Sequence, residues 1–213
     1  MAYAKRKRSF KKKPWYRKKY DTISLAKKAL QGVWYLKGLV NSEMLHNQGL
    51  GSTTTNNAGT MTLLNGMAQN DTSSGRTGNS ILMRNVHLRL GFEQHASATV
   101  TTYRVILLWD TQQTADTSPA VTDVLESASP YSPLATANVG RFKVIKNWFF
   151  TTDDTKAQTK LIECYKQFRV HTRYNGTANT DIQKMGLYLL TLSDQATNVP
   201  TFRYSWKVGY HDN

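Results

Sequence analysis

"TFRYSWKVGY", residues 201–210, decides the fold. Phe202, Tyr204, Trp206, Val208 and Tyr210 alternate with Thr201, Arg203, Ser205, Lys207 and Gly209. A period of two places the first set on one face of a strand and the second on the other. The same rule applied to "NSILMRNVHLRLGF" (79–92) aligns Leu82, Val86, Leu88, Leu90 and Phe92 on one face. Working outward, "GTMTLL", "TVTTYRVILLW", "RFKVIKNWFFT", "KLIECYKQFRVHTRY" and "KMGLYLLTL" are further strand candidates. Their connections are rich in Gly, Asn, Asp, Ser, Thr and Pro, and the longest, 110–140, holds a short helical candidate at "AVTDVLESA". "GLGSTTTNNAG" (49–59) reads as a polar loop, and its glycines fit neither phosphate-loop nor dinucleotide spacing. About seven or eight strands without βαβ alternation or internal repeat predict an all-β antiparallel sandwich or barrel.

Ahead of the strands, "DTISLAKKALQGVWYLKGLV" (21–40) predicts one helix with Asp21 or Thr22 as N-cap, although Gly32 and Gly38 weaken it. Leu25, Ala29, Val33, Leu36 and Val40 share one face, opposite Ser24, Lys27, Lys28 and Gln31. Such a helix either packs on the domain or turns its basic face to a ligand.

The first 20 residues are of a different kind. They contain Lys5, Arg6, Lys7, Arg8, Lys11, Lys12, Lys13, Arg17, Lys18 and Lys19, and the first acidic residue of the chain is Asp21. The segment therefore carries +10 of a net +14, leaving +4 for everything after it. Charge at this density resists burial, so residues 1–20 are expected to be a disordered basic arm and 21–213 the folded domain. Polycations bind nucleic acid by displacing counterions from phosphates. Trp15, Tyr16 and Tyr20, set among the cations, are placed to stack on unpaired bases. Lys5–Arg8 and Lys11–Lys13 also fit a nuclear import signal, which would engage a host import receptor. No amphipathic apolar face accompanies these cations, which argues against a membrane partner. Neither a secretory signal nor a membrane span is expected.

Catalytic constellations are missing from the sequence. His46, His87, His95, His171 and His211 form no His-Glu-x-x-His motif, and no serine lies in a Gly-x-Ser-x-Gly elbow. Asp153 and Asp154 are neighbours on a strand-end turn and so point apart. The loop carboxylates nowhere form a calcium loop. Cys164, the only cysteine, is expected to be a buried apolar residue. No catalytic residue, metal site or cofactor is therefore expected.

The order of motifs now becomes informative. "AQNDTSSGRTGNSILMRNVHLRL" resembles a stretch of small viral capsid proteins, and the likeness continues through "YRVILLWDTQQ", "VTDVLESASPYSPL", "RFKVIKN", "VHTRYNG", "GLYLLTLSD" and "GYHDN". The series, over residues 20–213, is similar to the single jelly-roll capsid protein of the satellite tobacco necrosis virus type. It is more similar still to capsid proteins of circular, Rep-encoding single-stranded DNA (CRESS-DNA) viruses. Asn70 stands where relatives often carry Gly. The resemblance implies an eight-stranded single jelly roll that assembles as a homo-oligomer of about 60 copies, a T=1 icosahedral shell. Its genome would be circular single-stranded DNA, its location the virion and, during assembly, the host nucleus. A satellite-like single-stranded RNA virus is the alternative. A cellular single-strand-binding β-barrel is the second.

Overall fold

The computed structural model describes residues 22–39, 44–114 and 116–212. Contacts divide the chain into two compact units, Met1–Asn41 and Ser42–Asn213. The first contains helix α1 (Thr22–Leu39), which runs through Gly32 and Gly38 and leaves Leu25, Val33 and Trp34 more than half exposed.

The second unit is a β-sandwich with nine strands among the described residues. They are β1 (Met44–Thr54), β2 (Thr60–Leu63), β3 (Ser80–Glu93), β4 (Val100–Asp110), β5 (Phe142–Asp153), β6 (Thr159–Tyr174), β7 (Ile182–Lys184), β8 (Gly186–Ser193) and β9 (Thr201–Asp212). One sheet has the order β1-β9-β3-β6-β7 and the other β2-β8-β4-β5, with every pairing antiparallel. Apart from β4–β5 and β6–β7, which join neighbours in one sheet, the connections pass from sheet to sheet, the double Greek-key pattern of a jelly roll. A short helix, α2 (Val121–Val124), lies in the expected 120–128 stretch.

The strand that decides the fold behaves as its alternation requires. Phe202, Val208 and Tyr210 are buried, Tyr204 and Trp206 pack against the same core, and Arg203 and Lys207 face solvent. Phe92 stacks on Phe202 at 4.8 Å and lies 5.2 Å from both Tyr103 and Phe150, joining the two sheets through aromatic contacts. Each fully buried Val, Leu or Phe contributes about 1.5–3 kcal/mol relative to exposure. Cys164 is buried in this core with a free thiol.

Two expectations are corrected. The register of β3 shifts between Met83 and Asn85 against both neighbours, so the inward set is Ile81, Met83, Val86, Leu88, Leu90 and Phe92. Leu82 therefore lies on the opposite face from Val86. A bulge adds a residue and resets the period of two, which simple alternation overlooks. The polar stretch 49–59 is also no loop at its start, since Gly49–Thr54 completes β1 in unbroken register with β9. Gly49 and Gly51 lie under aromatic rings. A Cβ at Gly51 would come within 2.6 Å of the Tyr204 hydroxyl, and one at Gly49 would overlap the Trp206 indole. Strand glycines mark such close approaches.

Candidate nucleic-acid interface

The residues expected to hold nucleic acid, Lys5 to Lys19 with Trp15 and Tyr16, lie outside the described residues. What the structure does place is the body, whose two sheets present very different outer faces.

The outer face of the four-stranded sheet is covered over β4 and β8, while Asn147, Phe149 and Thr151 of the edge strand β5 stay exposed. Ile106, Leu108, Tyr188, Leu190 and Leu192 pack beneath Val124 and Leu125 as a second apolar cluster. The covering segment is fastened by ions and hydrogen bonds. Arg141 donates to both carboxylate oxygens of Asp110, at 3.0 and 2.8 Å, and Asp110 is fully buried. Arg104 donates to the carbonyls of Pro130 and Ser132, and burial lowers its guanidinium pKa. The Tyr131 and Thr102 hydroxyls meet at 3.1 Å, and Tyr188 donates to Gln113 at 2.6 Å.

The five-stranded sheet is open. Its outward positions align across the register as Gln48–Lys207–His87–Tyr165, Leu50–Ser205–Arg89–Glu163 and Ser52–Arg203–Gly91–Leu161. Along β6 every outward residue from Leu161 to Arg173 is exposed. Glu163 accepts from Arg89 at 3.0 Å and lies 2.8 Å from His87 Nε2; these bonds, His87's first, lower its carboxyl pKa. Glu93 pairs with Arg203 at 3.1 Å. Arg169, Arg173, Lys184 and Lys207 have no carboxylate within ion-pair distance among the described residues. His46, His171 and His211 lie on strands of this sheet with His87, leaving only His95 elsewhere. Burial and then the charge of Lys207 lower the His46 pKa. An apolar cleft of about 630 Å³ lies at one end, over Gly91 between Leu50 and Leu161.

The arginine in "NDTSSGRTGNS" is a structural group. Arg76 is fully buried, donates to the carbonyls of Met67 (3.0 Å), Gly78 (2.6 Å) and Gly176, and lies 4.0 Å from the centre of the Tyr174 ring. It ties the loop before β3 to the loop after β6. Nothing in its sequence neighbourhood distinguishes it from a phosphate ligand; only the convergence of the Gly176 carbonyl from a distant loop with two carbonyls of its own loop does. His87, expected to be a structural group, is engaged by Glu163 and by the edge of Tyr165 at 6.3 Å. Asp153 caps its own turn by accepting from the Thr155 amide at 2.8 Å.

A family model described as satellite tobacco necrosis virus coat protein matches residues 33–213. No curated protein matches the chain. Among solved structures, it is similar to one titled Cucumber Leaf Spot Virus, at 12% identity over 80% of this chain and 57% of that one, with a TM-score of 0.32. Another, of infectious bursal disease virus Gx strain, is 9% identical over 79% of this chain and 32% of that one, with a TM-score of 0.26. This chain thus spans less than two thirds of either of those chains.

Proposed function

Because the chain belongs to the satellite tobacco necrosis virus coat protein family, we propose that it is the wall subunit of a small closed viral shell. About 60 copies would enclose a single-stranded genome, with closed symmetry satisfying every interface. The family match over residues 33–213 carries this reading. The jelly-roll body supports it, and the basic arm, residues 1–20, supplies the genome contact. The role is structural: the body is a wall and the arm an anchor. About 60 arms of ten cations bring roughly 600 positive charges, enough for roughly 600 phosphates at one charge per nucleotide.

For the genome we favour circular single-stranded DNA of the CRESS-DNA type. The clusters Lys5–Arg8 and Lys11–Lys13 support it, since they suit import into the nucleus, where such DNA would be packaged. Single-stranded RNA is the second reading, and the family match suits it equally.

One experiment tests both levels. Particles purified from cells expressing the full chain are viewed by electron microscopy, and their extracted nucleic acid is treated with DNase or RNase. Closed particles whose contents DNase destroys are expected. RNase-sensitive contents would select the RNA reading, and the absence of closed particles would overturn the coat-protein proposal.

A further inference from the structure

We propose that the open face of the five-stranded sheet is a second phosphate-binding surface, contacting the backbone of the packaged strand through Lys207, Arg169, Arg173 and Lys184. This rests on the coat-protein reading for the identity of the polyanion. The chemistry of the face stands independently of it.

The uneven placement of charge comes first. Only two carboxylates, Glu93 and Glu163, project outward from the described strands of this face, and both are engaged by its arginines. The four cations named above are left without a carboxylate among the described residues. Arg173 and Lys184 are moreover direct partners across β6 and β7. Like charges placed opposite each other on a sheet destabilise it. In the isolated subunit water screens this repulsion to a small effect, and an anion lying along the face would turn it into attraction.

The surroundings select the kind of anion. Same-face residues on a strand recur about every 7 Å and neighbouring strands lie about 4.8 Å apart, so the cations spread over an extended area instead of converging on one small ion. A polyphosphate backbone fits a field of that shape, and contacts to phosphate position a strand without reading its sequence. The opposite sheet shows exposed cations without a carboxylate only on its edge strand β5, at Lys143 and Lys146, among the described residues. Over β4 and β8 its outer face is apolar and covered, and the cations there, Arg104 and Arg141, are already used to hold the covering segment.

The test compares the full chain with its triple variant Arg169→Gln/Arg173→Gln/Lys207→Gln, using a labelled oligothymidylate and unassembled subunits at several salt concentrations. A second triple variant, Lys143→Gln/Lys146→Gln/Lys156→Gln, removes the same charge from exposed positions on β5 and the turn after it. Circular dichroism and thermal melts check that all three proteins are folded alike. Neutralising three phosphate contacts should reduce the slope of log affinity against log salt by about 2, at about 0.7 per single-strand phosphate. The β5 variant should keep the original slope. An unchanged slope in the first variant, or equal losses in both, overturns the proposal. Electron microscopy of the same preparations after assembly reports separately on the shell, so failure to form particles bears on the coat-protein reading and leaves the slopes interpretable.

Discussion

The two sheets of the sandwich share one core but use their outer faces differently. On the four-stranded sheet, Asp110, Arg104 and Tyr188 are buried and each helps to hold the segment that covers them. On the five-stranded sheet, charged side chains stay in water, and Arg169, Arg173, Lys184 and Lys207 face no carboxylate among the described residues. Burial decides what a charged group is worth to the fold. A paired ion inside the protein is costly to break because its partner is stranded, whereas an exposed pair contributes little because water and salt screen it. Stability should therefore be sensitive to charges on the covered face and insensitive to those on the open one.

The sharpest way to break this comparison is at Asp110. Asp110→Ala deprives the half-buried Arg141 guanidinium of its buried carboxylate and should cost about 3 kcal/mol in a urea titration, the low end for a broken buried pair because Arg141 keeps some contact with water. A loss near zero would mean that the segment is held by its apolar contacts alone. Arg104→Ala should cost less, about 1–3 kcal/mol, because it leaves the carbonyls of Pro130 and Ser132 unsatisfied without stranding a charge.

Alkaline pH probes the buried groups together. Burial raises the hydroxyls of Tyr188 and Tyr210 to about 12, from an ordinary value of 10.0. Folding keeps their protons while the unfolded chain gives them up. The stability this represents is whole below pH 10 and is lost as pH rises through about 12. Urea titrations at stepped pH should show that fall, and Tyr188→Phe should make it shallower. An identical fall in the variant would remove Tyr188 from the account.

The smallest effect belongs to the open face. Glu163→Gln removes the carboxylate shared by His87 and Arg89, yet the thermal midpoint should stay unchanged at physiological salt. A clear drop would show that this cluster stabilises the fold, and the contrast between the faces would weaken.

Much of this architecture is legible in the sequence, for identifiable reasons. The alternation in 201–210 and the long strands around it can be read because the two faces of each strand are chemically distinct. β1 cannot be read in the same way. Gly49 and Gly51 sit where the Trp206 and Tyr204 rings need room, so the strand carries small residues in place of an apolar alternation. The β3 bulge is hidden because Ile81 and Leu82 are both apolar, so either parity looks acceptable. In the candidate site, the arm's cations stand out by density alone. The cations of the open face do not, because Arg169, Arg173, Lys184 and Lys207 are scattered through three strands and meet only when β9, β6 and β7 join one sheet. Arg76 shows the converse, a cation in a conspicuous motif whose partners are backbone carbonyls.

The central claim is that this body closes into a shell, and particle mass tests it most directly. Sedimentation of the assembled full chain at neutral pH should give a single species whose protein mass is about 60 times the 24.1 kDa subunit. A monodisperse monomer or small ring under the same assembly conditions would contradict it.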